Sequence, residues 1–525
     1  MQPLTPARVK DMLSDGQELA FVDLREELTF SQNHLLHARS IPLSHLELRF
    51  AALVPRLATR IVLCDGQDGL VERAGQILSH AGYSNIFYLQ GGVAAWAAAG
   101  FDLFSGVNVP SKAFGEFVEH TSGTPSIDAG DLDRLLREGA NMVVLDSRPF
   151  NEYARVSIPT STNVPGAELV LRVRDIVPSP ETMIVVNCAG RTRSIIGAQS
   201  LINAGVPNKV VALRNGTMGW SLAGLACDSG KNNRAPKVSG GGLAWAKAAA
   251  SRVAERLGIE RIDRAMLDHF RTEQRERTLY VLDVRDPAEY ETGHFPGAIS
   301  APGGQLVQAT DQYVGTLGAR IVLVDDAEVR AVMTASWLRQ MGWKDVFVLV
   351  EKGSETGQPA IKRLGPEPQP ELRMDCKELS SLLARNGASV VDLSLSPRYC
   401  KGHIPGAFFA IRSRLAKSLK AIPAQGMLVL TSEDGTLAGL AAPEAQQFTK
   451  VPVHFLTGGN AAWQAAGYPL TADDPRMADE PVDVWLKPYE RPNDTAKAMA
   501  DYLSWEVDLI SRIERDGSCN FIPFR

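Results

Sequence analysis

The chain has 525 residues, 45% of them hydrophobic, and a formal net charge of −5. That length exceeds what one hydrophobic core serves and calls for roughly three to five domains. The composition excludes a disordered chain, and the mild negative charge argues against a nucleic-acid-binding surface over the whole chain.

The opening Met1-Gln2-Pro3-Leu4-Thr5-Pro6 has no basic start followed by an apolar run, so no signal peptide is expected. No stretch approaches about 18 consecutive apolar residues, so no membrane span is expected and the cytoplasm is the default location. The cysteines Cys64, Cys188, Cys227, Cys376, Cys400 and Cys519 are scattered, with no Cys-x-x-Cys pair. Neither a zinc site nor a disulfide framework is expected, nor any other metal or cofactor.

In chain order, a short amphipathic helix leads into the apolar strand Ala20-Phe21-Val22-Asp23-Leu24-Arg25. A polar loop follows, with His34 eleven residues after Asp23. The continuous apolar run Ile61-Val62-Leu63-Cys64 suits a buried parallel strand. A helix of about three turns comes next and Gly82 closes it. Another strand precedes Gly91-Gly92 with Trp96. This order then returns three times.

The second copy has Val143-Val144-Leu145-Asp146-Ser147-Arg148, then Ser157, Ile184-Val185-Val186-Asn187, Gly205, and Gly216 with Trp220. Residues 228–242 are polar and rich in Gly, Lys and Asn, as a linker would be, and 244–257 predict a bridging helix. The third copy has Tyr280-Val281-Leu282-Asp283-Val284-Arg285, Gly293-His294-Phe295-Pro296-Gly297-Ala298, Ile321-Val322-Leu323-Val324 and Gly342. It ends on Gly353 without a matching tryptophan. Pro366-Glu367-Pro368-Gln369-Pro370 separates it from the fourth copy. That copy has Val390-Val391-Asp392-Leu393, Gly402-His403-Ile404-Pro405-Gly406-Ala407, Leu428-Val429-Leu430-Thr431, and Gly458-Gly459 with Trp463. In the tail, Asp494 is positioned to cap a helix running to about Ile513, with Met499, Tyr502, Leu503, Val507 and Ile510 on one face. The expected boundaries are 1–106, 124–227, 228–257 for linker and bridging helix, 258–356, 371–472 and 473–525.

Strands alternating with helices predict a parallel sheet covered on both faces, whose ligands bind at the carboxyl ends of the strands. Just after the second apolar strand of copy two stands Cys188-Ala189-Gly190-Arg191-Thr192-Arg193-Ser194. A thiolate is stabilised at a helix N-terminus and near arginine. The amides of Ala189 to Ser194 are expected to turn inward as an anion-binding nest. Gly190 would let the backbone turn with no side chain in the way.

The Asp-x-Arg strand end, the Gly-His-x-Pro-Gly-Ala turn, the cysteine loop before a helix and the glycine-plus-tryptophan segment together resemble the rhodanese family. The resemblance implies four tandem rhodanese-like domains, each a mostly parallel sheet flanked by helices, plus a C-terminal helical tail. It implies transfer of a sulfane sulfur from a small-molecule donor such as thiosulfate to a thiol or cyanide, through a cysteine persulfide. Glutathione persulfide and mercaptopyruvate are alternative donors. The loop Cys-Ala-Gly-Arg-Thr-Arg differs from the Cys-Gly-x-Gly of mercaptopyruvate enzymes and disfavours the latter. The family's nucleophile lies one residue beyond the second strand, which is Cys188 in copy two but Asp65, Asp325 and Ser432 elsewhere. One copy is thus expected to be active. Arg191 and Arg193 would orient the sulfonate of the donor and stabilise its leaving charge. Asp146 and Arg148 read as a fold-holding pair, because the same dipeptide spacing recurs in copies without a nucleophile. His34, His294 and His403 read as structural for the same reason.

Cys64 falls one position early, in an acidic loop that disfavours a thiolate. Cys519 reads as a free surface thiol of the tail, and Cys227, Cys376 and Cys400 as structural. Two other readings remain open. A phosphatase or arsenate reductase on the same fold would place arginine six residues after cysteine, where Ser194 stands. The three copies lacking the nucleophile would also suit a sulfur-relay scaffold that docks a protein acceptor.

Overall fold

The computed structural model describes residues 1–357, 362–423 and 426–524. Four copies of one parallel sheet make up most of it. In the second unit the strands lie in the order Ser126–Ile127, Val210–Leu213, Met183–Asn187, Met142–Asp146, Thr162–Asn163. Every neighbouring pair in that sheet is parallel. The other units repeat the order, and the fourth adds Arg476–Met477 beside Phe408–Phe409. The expected architecture of four parallel α/β units with a helical tail is therefore the one the chain adopts. Each unit also begins with a short edge strand: Gln2–Leu4, Ser126–Ile127, Glu260–Ile262 and Arg373–Met374. Two or three residues carry no readable periodicity, so these strands are invisible as sequence patterns. Among the described residues, no helix is long and apolar enough to cross a membrane.

The register fixes where chemistry can sit. Asp23 pairs with Cys64, Asp146 with Asn187, Asp283 with Val324 and Asp392 with Thr431. The next residue of each unit, Asp65, Cys188, Asp325 or Ser432, therefore leaves the central strand at the same point. Beside it, Asp23–Arg25, Asp146–Arg148 and Asp283–Arg285 form buried ion pairs of 2.6, 2.7 and 2.7 Å. Each arginine also donates to a carbonyl at the end of the following loop: Asn33, Val156 or Gly293. His34, His294 and His403 stack on Phe30, Tyr290 and Tyr399. Burial pulls the pKa of His34 down to about 3, so it stays neutral. The second unit has Ser157 there, and its backbone bridges Asp228 as His34 bridges Phe104.

The units are packed into one body. Helix Gly240–Leu257 lies between helices Leu169–Ile176 and Val329–Gln340, burying Ala246, Ala249, Ala250 and Val253. Units two and three thus share a core. This bridging helix starts four residues before 244, because Ser239 accepts from Gly242 N at 3.0 Å and caps it. Arg330, 2% exposed, ties Asp325 and Glu289 of unit three to Glu168 of unit two. Arg412 of unit four grips Glu47 of unit one at 2.7 and 2.8 Å.

Two further helices lie outside the repeats. Val109–Ser122 joins units one and two, and the tail helix Thr495–Asp516 packs along it. The tail helix is rotated from the sequence expectation. Its inward stripe is Ala498, Met499, Leu503, Glu506, Leu509 and Ile513, while Val507 is 51% exposed. Asp494 has φ +52° and makes no capping bond.

The joint between units one and four holds a carboxylate under stress. Glu26 Oε1 accepts from Ser44 at 2.5 Å and Ser413 at 2.7 Å, while buried Oε2 has no partner. Burial pushes its pKa from 4.5 up to about 7. The folded chain thus holds this proton more tightly than the unfolded one. The contribution is complete below about pH 4.5, declines as pH rises, and is lost above about 7. The shift corresponds to about 3 kcal/mol. Glu26→Gln is expected to stabilise the protein at pH 8 and to flatten denaturant stability between pH 4.5 and 7. Identical stability–pH curves for the two proteins would contradict this assignment.

Candidate active site

Cys188 follows the central strand Met183–Asn187 and is 2% exposed. Its loop leads into helix Thr192–Ala204. The backbone here is clamped from the glycine-plus-tryptophan segment. Thr217 donates from both N and Oγ1 to the Cys188 carbonyl, at 2.8 and 3.0 Å, and Met218 N donates to the Ala189 carbonyl at 2.9 Å. Gly216 makes the clamp possible. It has φ +53°, and a Cβ there would collide with the Cys188 carbonyl. Gly92 and Gly459 approach the carbonyls of Asp65 and Ser432 in the same way. The third unit lacks this segment, and Gly353 packs against Gly293 and His294 instead.

In three units the residue leaving the central strand receives backbone hydrogen bonds from the helix that follows. Asp65 accepts from the amides of Gln67, Leu70 and Val71. Asp325 accepts from Ala327, Arg330 and Ala331. Ser432 Oγ accepts from Ala438 N at 3.3 Å. In the second unit Cys188 Sγ occupies this position and donates to Ser194 Oγ at 3.5 Å. Ser194 in turn donates through both its hydroxyl and its amide to the Arg191 carbonyl, at 2.8 and 3.1 Å. Ser194 therefore offers sulfur its hydroxyl rather than the amide that the sequence suggested.

Both arginines of the loop have carboxylate partners. Arg191 is gripped by Glu116 through two 2.7 Å bonds, and by Glu119. Arg193 pairs with Glu152 at 2.9 Å and reaches Gln305 at 3.1 Å. Burial opposes both charges, but these carboxylates hold each guanidinium above its ordinary pKa. Burial likewise opposes the Glu152 carboxylate, which Arg193 and Lys487 keep far below the usual range. Both guanidiniums are thus held by carboxylates beside the cavity over Cys188. Asp146 accepts from Asn187 Nδ2 at 2.9 Å as well as from Arg148, which braces the strand end beneath the thiol.

A cavity of about 70 Å³ opens over Cys188. Its floor is the loop Cys188–Arg193, and its walls include Lys112, Trp485, Lys487, Tyr489, Tyr502 and Glu506. None of these wall residues was identifiable from sequence. They come from the helix between units one and two and from the tail, which carry no repeated motif to mark them. The one signal read in the sequence was the amphipathic tail segment, whose expected apolar face included Tyr502. Thr192 Oγ1 donates to Glu506 at 3.3 Å. Gly190 is required for a different reason from a turn: a Cβ there would lie 2.8 Å from Met218 and 3.1 Å from Glu506.

The other thiols sit elsewhere. Cys64 is wholly buried, and burial and Asp23 push its pKa well up. Cys519 is not a surface thiol. It is half-buried beside Phe104 and Leu509, and burial raises its pKa to about 12. Cys400 is exposed, and Cys227 and Cys376 are half-buried.

A family model described as the rhodanese-like domain matches residues 5–99, 128–223, 266–355 and 375–466. The crystal structure of a thiosulfate sulfurtransferase from Pseudomonas aeruginosa is similar over 100% of both chains, with 45% identity and a TM-score of 0.96. A probable adenylyltransferase/sulfurtransferase MoeZ of Mycobacterium tuberculosis is 30% identical over 95 residues, 18% of this chain and 24% of that protein. The HTH-type transcriptional regulator Rv0324 of the same organism is 33% identical over 110 residues, 21% of this chain and 47% of that protein. The chain thus spans from about a quarter to about a half of the length of these curated relatives.

The clamp can be tested by comparing two units. Gly216→Ala and Gly92→Ala should each destabilise the protein by roughly 1–3 kcal/mol in denaturant unfolding. Only Gly216→Ala should change the rate at which iodoacetamide alkylates Cys188. Equal effects of both variants on that rate would refute the assignment.

Proposed function

Given that the chain belongs to the rhodanese family, we propose that it is a sulfurtransferase whose working thiol is Cys188. The observation that carries this reading is a substitution within a repeated frame. A thiol stands where Asp65, Asp325 and Ser432 receive the amides of a helix N-terminus. A position that stabilises a carboxylate also stabilises a thiolate and the anionic persulfide derived from it.

The cycle has two half-reactions. The Cys188 thiolate attacks the outer sulfur of thiosulfate, the sulfur–sulfur bond of the donor breaks, and its electron pair leaves on sulfite. A thiol or cyanide then takes the outer sulfur from the persulfide and restores the thiolate. This is covalent catalysis of the ping-pong kind. Arg193, whose charge couples to Cys188, and Lys112 favour an anion in the cavity. Thiosulfate as donor is supported by the full-length likeness to a thiosulfate sulfurtransferase. A phosphate-handling role is disfavoured, because it calls for a guanidinium free to cradle the phosphate, and Arg191 and Arg193 are both engaged by carboxylates.

Cys188→Ser is expected to abolish sulfur transfer from thiosulfate while the chain remains folded. Cys64→Ser is expected to retain it. Transfer that persists in Cys188→Ser, or vanishes in Cys64→Ser, would overturn the proposal.

A further inference from the structure

The cavity over Cys188 holds a carboxylate that the cycle above does not use. Glu506, from the tail helix, is 1% exposed. Its Oε1 accepts from Tyr502 at 2.9 Å and Thr192 at 3.3 Å and stands 3.6 Å from Lys112 Nζ. Its Oε2 is buried, has no hydrogen-bond partner, and faces Gly190, two residues past the thiol. Its charged surroundings are Lys112 and Glu116 from helix Val109–Ser122, Arg191 from the cysteine loop, and Tyr502 from its own helix.

A carboxylate here is a liability for the donor step, since thiosulfate enters and sulfite leaves as anions. An unpartnered buried oxygen adds a further cost, and a glutamine would make the Oε1 contacts without the charge. Costs of this kind concentrate where chemistry needs them. The donor half-reaction moves no proton. The second does when the acceptor is a thiol, because an ordinary thiol near pKa 8.5 is mostly protonated at neutral pH.

We propose that Glu506 is the catalytic base of the second half-reaction and that the acceptor is a protonated low-molecular-weight thiol. The acceptor S–H bond breaks and its proton goes to Glu506 Oε2. The electron pair left on the acceptor sulfur forms a bond to the outer sulfur of the Cys188 persulfide. The sulfur–sulfur bond to Cys188 breaks and its pair returns to Cys188 as the thiolate. The acceptor leaves as a persulfide and Glu506 gives the proton to solvent. A neighbouring cavity of about 520 Å³ shares Ala189, Met218 and Tyr489 with the Cys188 cavity and has room for the body of such a thiol.

The inference rests on the Cys188 persulfide, so its test separates the two. Full-length Glu506→Gln is loaded with thiosulfate, and sulfur delivery is then compared with glutathione and with sulfite, an acceptor whose proton-free form is already abundant at neutral pH. At pH 7 the ratio of glutathione to sulfite delivery should fall about 10²-fold, and the defect should shrink as pH approaches the thiol pKa. An unchanged ratio overturns the proposal. Should the variant not fold, wild-type delivery in D₂O decides instead: slowing with glutathione but not with sulfite is expected, and equal slowing overturns it. If wild-type protein releases no sulfite on loading, the persulfide reading falls and takes this one with it.

Discussion

In units one, three and four the helix that follows the central strand directs one or more amides at the side chain leaving that strand, and the rest of the molecule can be understood from what stands at that position. Asp65 and Asp325 fill the position with carboxylates and accept amides two, five and six residues ahead. A carboxylate so placed completes the helix cap and leaves nothing reactive. Ser432 does the same more weakly, with one bond from Ala438. Cys188 is the single sulfur in this place, and there the cap becomes a candidate reaction centre. Units one, three and four thus appear as the fold in its self-satisfied form.

These self-satisfied units still shape the site. Arg330, beside Asp325, links unit three to Glu168 of unit two. Gln305 of unit three touches Arg193. The helix after unit one brings Lys112 and Glu116, and the tail after unit four brings Lys487, Tyr489, Tyr502 and Glu506. The cavity over Cys188 is therefore composite, and no isolated copy of the second unit would reproduce it.

What the sequence disclosed follows from this division. Most of what repeats was legible, because four imperfect copies constrain one another; the short edge strands were the exception. The central strands, the Asp-x-Arg pairs, the helix-closing glycines and the offset of Cys64 from Cys188 all came from that comparison. What occurs once was legible only in part: the bridging and tail helices were expected, but not the partners they meet. Helix Val109–Ser122 fell between repeats, and the inward face of Thr495–Asp516 was misjudged because Glu506 is polar and Val507 apolar, yet Glu506 is the buried one. Hydrophobic periodicity cannot foresee a buried carboxylate whose partners, Lys112 and Thr192, lie hundreds of residues away. The partners of the arginines were hidden for a related reason. Arg191 and Arg193 stand beside the cysteine in sequence, but Glu116, Glu119 and Glu152, which engage them, were not recognisable as their partners.

The central claim is that one sulfur site exists per chain and that it is Cys188. Treating the full-length protein with thiosulfate and mapping its peptides by mass spectrometry tests this most directly. A gain of one sulfur confined to the Cys188 peptide is the predicted result. An added sulfur on Cys64, Cys519 or any other cysteine, with Cys188 unmodified, would contradict the account.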